Sequence, residues 1–333
     1  MKENEYFIKQ PEQIKISLSN VCNYRCVMCP NSLLKQKRGY ISDDLVYKIL
    51  DECTELGVKN VSLGGTGEPL IHKNFIAYLK RAKSLGLHVS TTTNCSLLSR
   101  EMTEALVTEG LDRLCLSVYS SDDESHLKYT GTKLFSRVVE NINYFLNYWY
   151  ENRSSMEVNM WFLSIPGVNE LSEFMAYWGP VARRVGLPLT IKEPINWGGR
   201  VDLFNGKISA QILRIEKRET GYKLVFKKQI RCHHVSNYLF VLHDGTVLPC
   251  CNIQEGDEAD LVVFGNLIKE SIMDVWQSPK YLSFKEDHFR KKRGEYPYCR
   301  DCSEVICFLS WNLNPLRYLP KLASFLNLRH GSV

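Results

Sequence analysis

The sequence predicts an α/β fold: a parallel sheet covered by helices, followed by a small cysteine-organised region. Three observations carry this. Between about residues 13 and 195, short apolar runs alternate with amphipathic stretches of helical length. Capping residues fall where those stretches begin and end. From residue 231 onward the texture changes to short apolar runs, turns and closely spaced cysteines.

Taken in order, strands are expected at 14–18, 61–64, 88–93, 114–119, 158–163 and 189–193. Helices are expected near 43–56, 72–85, 99–109, 136–150 and 169–185. Ser42 and Ser99 precede two of them as N-caps, and Gly57, Gly86 and Gly110 stand where C-terminal glycines belong. Repeated βα units imply a parallel sheet with right-handed crossovers, open or closed into a barrel. Either form binds its ligands at the carboxyl ends of the strands. The periodicity fades after Trp197-Gly-Gly-Arg200. Residues 1–200 therefore read as the sheet domain, 201–230 as a connector with some strand character, 231–310 as the metal-organised domain and 311–333 as a tail. That tail, apolar and basic by turns, is expected to pack on the protein's own surface.

With 333 residues, 44% of them hydrophobic and 24% charged, the chain can bury a sizeable core and is not expected to be disordered. A net charge of +5 is mild, and the run Arg290-Lys-Lys-Arg293 reads as a solvated face, so no nucleic-acid partner is expected. No apolar run reaches the roughly 18 to 20 residues of a membrane span. The start, MKENEYFIKQPEQ, lacks the apolar core of a signal peptide. A cytoplasmic location follows. Twelve cysteines in a reducing compartment point to metal ligands or catalytic groups before disulfides. Cys53, Cys95 and Cys115 stand alone and read as small buried apolar residues.

Cys22-Asn-Tyr-Arg-Cys26-Val-Met-Cys29 follows the first strand directly, which places three thiols in a loop at the carboxyl end of the sheet. Three thiolates can hold three irons of a four-iron cluster and leave one iron open. A zinc site would want a fourth Cys or His nearby, and none occurs between residues 30 and 52. The second strand ends in Gly64-Gly-Thr-Gly-Glu-Pro69. Its glycines permit close backbone approach to a ligand, but it lacks the Lys and Ser/Thr of a phosphate-binding P-loop.

The second cysteine group starts at Cys232. Asp244-Gly245 lies between two apolar runs, a hairpin signal that would bring Cys232 and Cys250 together. Cys299-Arg-Asp-Cys302 and Cys307 follow. On spacing alone a zinc ribbon and an iron–sulfur site both remain open.

Together these motifs resemble the radical S-adenosylmethionine (AdoMet) superfamily, over about residues 13 to 195. Cys22, Cys26 and Cys29 match its cluster loop, and Gly64–Pro69 its GGEP-type motif. The resemblance implies a partial (β/α)6 TIM-like barrel whose open iron chelates AdoMet. It assigns AdoMet contacts to Tyr24, Gly65, Thr66, Gly67, Glu68, Thr93, Asn94 and Ser117. Thr92-Thr-Asn94 departs from the family's TNG ending, since Cys95 replaces the glycine. Cys232, Gly245-x4-Cys250, Gly265-Asn-Leu267, Met273-Asp-Val-Trp276 and Cys299-x2-Cys302 resemble the SPASM/Twitch domain of the same enzymes. That implies one auxiliary [4Fe-4S] cluster held by Cys232, Cys250, Cys299 and Cys302, the single-cluster Twitch form.

Cys29-Pro-Asn-Ser32, Gly67-Glu-Pro-Leu70 and the spacing from Cys232 to Cys250 further resemble the branch that oxidises an inosamine alcohol in the butirosin pathway. The implied reaction is radical oxidation of a secondary alcohol on an amino sugar, cyclitol or nucleotide sugar. A flavodoxin or ferredoxin-type donor would supply electrons. Cys251 and Cys307 are surplus to the ligand set and become candidate hydrogen donors, which keeps a radical epimerase open. A peptide maturase is the third reading, although a fused leader-binding domain is not expected ahead of Cys22. Arg137 and Glu193 are candidate catalytic residues. Asn196, Trp197 and Arg200, with Asn159 and Asn169 behind them, are candidate substrate contacts near strand ends.

Overall fold

The computed structural model describes residues 7–34, 37–165, 167–192, 195, 197, 201, 232–253, 262–300 and 302, and the backbone of 212–218 and 221–226. Five βα units and a closing strand run as β1 (Gln13–Ile16), α1 (Asp43–Leu56), β2 (Asn60–Leu63), α2 (Phe75–Ser84), β3 (His88–Thr93), α3 (Arg100–Thr108), β4 (Arg113–Ser117), α4 (Asp123–Thr130), α5 (Phe135–Glu151), β5 (Glu157–Leu163), α6 (Leu171–Val185) and β6 (Leu189–Lys192). The expected caps are present: Ser42 Oγ accepts from Leu45 N, Ser99 Oγ accepts from Met102 N, and Gly57, Gly86 and Gly110 all have φ near +73°. Each serine cap is worth about 1 kcal/mol.

Strands β1 to β6 are parallel and lie in sequence order. Without a reversal of order, right-handed crossovers put every helix on one face. The alternation of side chains follows from that. Ile14, Ile16, Val61, Leu63, Val89, Leu114, Leu116, Val158, Met160 and Phe162 are buried behind the sheet with Val46, Ile49, Leu79 and Phe145 of the helices. Their neighbours Lys15, Ser62, Ser90, Thr92, Asn159, Trp161 and Thr190 are half-buried on the other face. A sheet of this order, polar on its inner side, is the wall of a partial barrel.

One helix lay outside the periodicity argument. The α4 segment is polar and weakly amphipathic, and it is started by Asp122, whose carboxylate accepts from Ser125 N at 2.8 Å. Gly131, at φ +71°, ends it.

The connector contains an antiparallel pair, β7 (Ile212–Arg218) and β8 (Gly221–Phe226). Beyond it come α7 (His233–Asn237), β9 (Tyr238–Val241), β10 (Thr246–Leu248), β11 (Gly265–Asn266), α8 (Ile272–Trp276) and α9 (Pro279–Phe289). The Asp244-Gly245 turn joins β9 and β10 as an antiparallel hairpin, with Gly245 at φ +84°. That hairpin is not a separate layer. Strand β9 pairs in parallel with β1, Tyr238 opposite Gln13 and Val241 opposite Ile16, giving one nine-stranded sheet. Among the described residues, no helix is long and apolar enough to cross a membrane.

Candidate active site

The first cysteine loop leaves the carboxyl end of β1 and is held by main-chain bonds to the end of α4: Arg25 N donates to Thr130 O at 2.8 Å and Val27 N to Tyr129 O at 2.9 Å. Within the loop Cys29 N donates to Cys26 O, and Trp197 Nε1 donates to Met28 O at 2.7 Å. Burial pushes the Cys22 thiol up to about 11 and raises Cys26 and Cys29 as well. Crowded thiols in an apolar setting ionise when a metal supplies the compensating charge.

The glycine loop is threaded against this loop. Glu68 N donates to Val21 O at 3.0 Å, and a Cβ on Gly67 would lie 2.2 Å from that same oxygen. Gly64, at φ +152°, adopts a conformation L side chains rarely take. Thr66 is buried: its N and hydroxyl bond to Ser17 Oγ at 3.1 and 2.8 Å, and its carbonyl accepts from Asn31 Nδ2 at 2.6 Å. Arg38 then clamps Asn31, with Nη1 to Oδ1 at 2.9 Å.

The Glu68 side chain is buried among donors. Thr93 Oγ1 and Asn94 N each donate to it at 2.8 Å, and Leu70 N at 3.2 Å. Burial outweighs these bonds and lifts its pKa to about 7. A buried carboxyl this poised offers a place for an ammonium group.

Beside it, Asn94 Nδ2 donates to Asn23 Oδ1 at 2.9 Å, and Asn23 Nδ2 to Ser96 Oγ at 2.7 Å. Cys95 sits at φ +67°. It therefore keeps the left-handed backbone that a glycine would adopt freely, and its thiol is fully buried. Tyr24 is edge-on to His126, ring centroids 5.5 Å apart, and its buried hydroxyl has no partner. The Tyr129 hydroxyl, near Cys26 and Cys29, is equally orphaned.

The second group lies at the other end of the sheet. Because β9 runs parallel to β1, Cys232 before it and Cys250 after β10 sit at the amino end. Cys232, Cys250, Cys299 and Cys302 line one cavity with His288, Arg293 and Tyr298. Burial and the neighbouring thiols raise Cys250 and Cys299, and Arg293 pulls Cys299 the other way. Among the described residues, no group of three His, Cys, Asp or Glu converges to hold a single metal ion. Four thiols around a cavity suit a cluster, whereas a zinc needs its sulfurs about 2.3 Å from one point. At the carboxyl end, three thiols, a glycine cradle with no room for a methyl group and orphaned hydroxyls fit a cluster with an open iron and a polar co-substrate.

The radical SAM superfamily model matches residues 16–170. The SPASM model, an iron–sulfur cluster-binding domain, matches 232–303. This chain is a radical SAM enzyme with a SPASM domain. Such enzymes require AdoMet and a [4Fe-4S] cluster, and SPASM domains bind auxiliary iron–sulfur clusters. The chain is 27% identical over 311 residues to the tungsten-containing aldehyde ferredoxin oxidoreductase cofactor-modifying protein of Pyrococcus furiosus, covering 86% of each. Two solved structures share the fold. BtrN in complex with AdoMet and 2-DOIA superposes with TM-score 0.57 at 19% identity, covering 87% of this chain and 92% of that one. Streptococcus suis SuiB bound to precursor peptide SuiA gives TM-score 0.62 at 16% identity, covering 92% and 72%.

Within this radical SAM fold the expected contact residues divide. Tyr24, the 65–68 loop and Asn94 gather beside the cluster cysteines. Thr93 spends its hydroxyl on Glu68 and so positions that carboxyl, and Ser117 is half-buried on the inner face of β4. Asn169 is structural: it bonds Ile165 N, Tyr119 O and Leu163 O. Arg137 is exposed on α5 and lines a groove with Leu70, Ser96, Arg100, Glu140 and Tyr144. Cys251 is beside Cys250 with its thiol 3.6 Å from Tyr238 Oη, at the auxiliary end. Glu193, Asn196, Arg200 and Cys307 lie outside the described residues. Arg38 and His126 were missed altogether, and Asn31 entered only within the Cys29–Ser32 run; Asn31 and Arg38 belong to a loop held by bonds to Asn20 and Thr66.

Proposed function

We propose that the enzyme removes hydrogen from a carbinol carbon of an amino sugar, cyclitol or nucleotide sugar and oxidises the secondary alcohol to a ketone. The observation that supports this most directly is the placing of two cysteine sets at opposite ends of β1, with a polar barrel face between them. When bound, the first cluster with AdoMet supplies a 5′-deoxyadenosyl radical and the auxiliary cluster an electron acceptor.

The chain's own residues do the rest. Cys22, Cys26 and Cys29 would hold the first cluster, and Cys232, Cys250, Cys299 and Cys302 the second. Glu68 and the backbone of 65–67 would take the methionine end of AdoMet, with Tyr24 along its adenine. Met28, Tyr129, Leu163 and Ile165 form a small apolar cluster against Cys26, Cys29 and Tyr119, which keeps water from a reactive intermediate. Half-buried hydroxyl and amide groups on the inner face orient a hydroxylated substrate. Loss of the carbinol hydrogen, one electron and the hydroxyl proton leaves a ketone, the proton passing to a side chain or solvent.

The test is anaerobic turnover of reduced, reconstituted enzyme with a panel of amino sugars, cyclitols and nucleotide sugars. One 5′-deoxyadenosine and one product about two mass units lighter are expected per event. A product of unchanged mass that carries solvent deuterium would replace this reading with the epimerase, for which Cys251 and Cys307 are the candidate donors. Iron analysis checks the cofactors: about eight irons per chain, about four after Cys22, Cys26 and Cys29 are all replaced by Ala. The donor in the cell is proposed to be a flavodoxin or ferredoxin, in the cytoplasm.

A second reading has its own support. The Pyrococcus relative, matched along most of both chains, is named for cofactor modification, so a redox-enzyme cofactor is the alternative substrate. The same mass analysis, run on that cofactor, separates the two.

A further inference from the structure

Tyr129 is tied to the first cysteine loop twice, once through its main chain and once through its ring. Its carbonyl oxygen accepts from Val27 N at 2.9 Å, so the last turn of α4 grips the loop at this residue. The ring is fully buried. It stacks on the ring of Tyr119, centroids 4.7 Å apart and planes 23° apart, which fixes its direction. Met28, Leu163 and Ile165 pack with it, and Cys26 and Cys29 lie against the same small cluster.

The hydroxyl at the end of that ring is buried and has no hydrogen-bond partner. A hydroxyl left so costs free energy unless something accepts from it. The side chains of Met28, Leu163 and Ile165 offer no oxygen or nitrogen for the purpose. Burial, with the charges that Tyr119, Cys26 and Cys29 would carry, holds the Tyr129 proton well above the ordinary tyrosine value. Tyr129 is therefore a standing O–H donor, close enough to two thiols of the loop to feel their charge. Sulfur is the acceptor chemistry that these neighbours provide.

We propose that the Tyr129 hydroxyl donates a hydrogen bond to the first iron–sulfur cluster, at a cluster sulfide or at the thiolate of Cys26 or Cys29, and so raises that cluster's reduction potential. Hydrogen bonds to the sulfurs are among the features that set such a potential. Reduction adds one negative charge, and an O–H dipole aimed at sulfur stabilises the reduced form more than the oxidised one. The residue that holds the loop in place thus also governs how readily its metal centre takes an electron from the donor. The assignment rests on Cys22, Cys26 and Cys29 as the ligands of the first cluster.

The experiment is a redox titration, followed by EPR, of anaerobically reconstituted full-length protein without AdoMet. Wild type is compared with Tyr129→Phe, which keeps the ring and its stack and removes only the oxygen. Cys250→Ser with Cys299→Ser isolates the first cluster's signal; replacing Cys22, Cys26 and Cys29 by Ala isolates the auxiliary one. Tyr129→Phe is expected to keep its iron and to lower the first cluster's reduction equilibrium constant at least tenfold, about 59 mV for one electron. The auxiliary cluster's potential should stay where it is. An unchanged first potential, or an equal shift at both clusters, would overturn the assignment. So would loss of the first cluster from Tyr129→Phe, since the hydroxyl would then serve assembly. Weaker AdoMet binding with an unchanged potential would make AdoMet the acceptor and overturn it too. If the variant lacking Cys22, Cys26 and Cys29 still held all its iron, it is the ligand reading beneath the proposal that would fail.

Discussion

A methyl group at Gly67 would meet the carbonyl oxygens of Val21 at 2.2 Å and Ser19 at 2.7 Å, and backbone atoms cannot swing aside as a side chain can. Gly67→Ala should therefore part the glycine loop from the cluster loop, cost about 3 kcal/mol of stability and weaken AdoMet binding at least tenfold. Anaerobic urea unfolding and AdoMet titration check this; wild-type affinity in the variant would show that the loop does not form the cradle. The neighbouring Glu68 makes a prediction with a sign. Its folded pKa, about 7, lies above the ordinary 4.5, so the folded chain holds the proton more tightly than the unfolded one. Below about pH 4.5 both forms are protonated and nothing is lost. As pH rises toward 7 the unfolded carboxyl ionises first, and stability without AdoMet falls by an amount approaching about 3 kcal/mol. Glu68→Gln cannot titrate. The stability of Glu68→Gln relative to wild type should thus improve by about that amount between pH 4.5 and 7.5, whatever constant offset the lost bonds impose. A difference that stays flat with pH would mean that the Glu68 carboxyl titrates alike in the folded and the unfolded chain.

Helix α4 shows what local periodicity leaves out. Strands β1 to β6 were legible because their apolar positions repeat every second residue, and α1, α2, α3, α5 and α6 because theirs repeat along one face. The sequence from Asp122 to Gly131 buries Ser125, His126, Tyr129 and Thr130, too polar a set to register as an apolar stripe. Its cap signals, Asp122 ahead and Gly131 behind, were the available clue. Yet α4 supplies the carbonyls that hold Arg25 N and Val27 N of the cluster loop. Asp122→Ala removes the cap, at a cost of about 1 kcal/mol, and should loosen that loop ahead of the rest of the protein. Challenge with an iron chelator is expected to strip the first cluster several-fold faster than in wild type while the auxiliary cluster keeps its rate. Equal acceleration at both clusters would show a global loss of stability and no special tie to the loop.

At the level of the whole molecule, the change of texture at Cys232 marked a change of chemistry and not an interruption of the sheet. The pairing of β9 with β1 joins residues more than two hundred positions apart, and no local pattern encodes such a partner. Each strand alone shows only that one of its faces is apolar. The consequence is physical. Strand β1 carries the first cluster loop at its carboxyl end and bonds β2 on one side and β9 on the other. Further contacts tie the two regions: Trp276 Nε1 donates to Ile8 O at 3.2 Å, Lys48 Nζ to Leu267 O at 2.9 Å, and Ile272 N to Glu52 Oε2 at 2.7 Å. Removing everything from Cys232 onward would bare the backbone edge of β1 and the apolar surface beneath Trp276, an edge of the kind that aggregates. The truncated chain is therefore expected to be insoluble or to fail to take up even its first cluster. Replacing Cys250 and Cys299 by Ser removes only the second cluster's ligands and should leave a soluble protein with about four irons that still cleaves AdoMet. A truncated barrel that folds, loads iron and cleaves AdoMet would mean that the β1–β9 seam contributes little, and that the two cysteine centres belong to separable units.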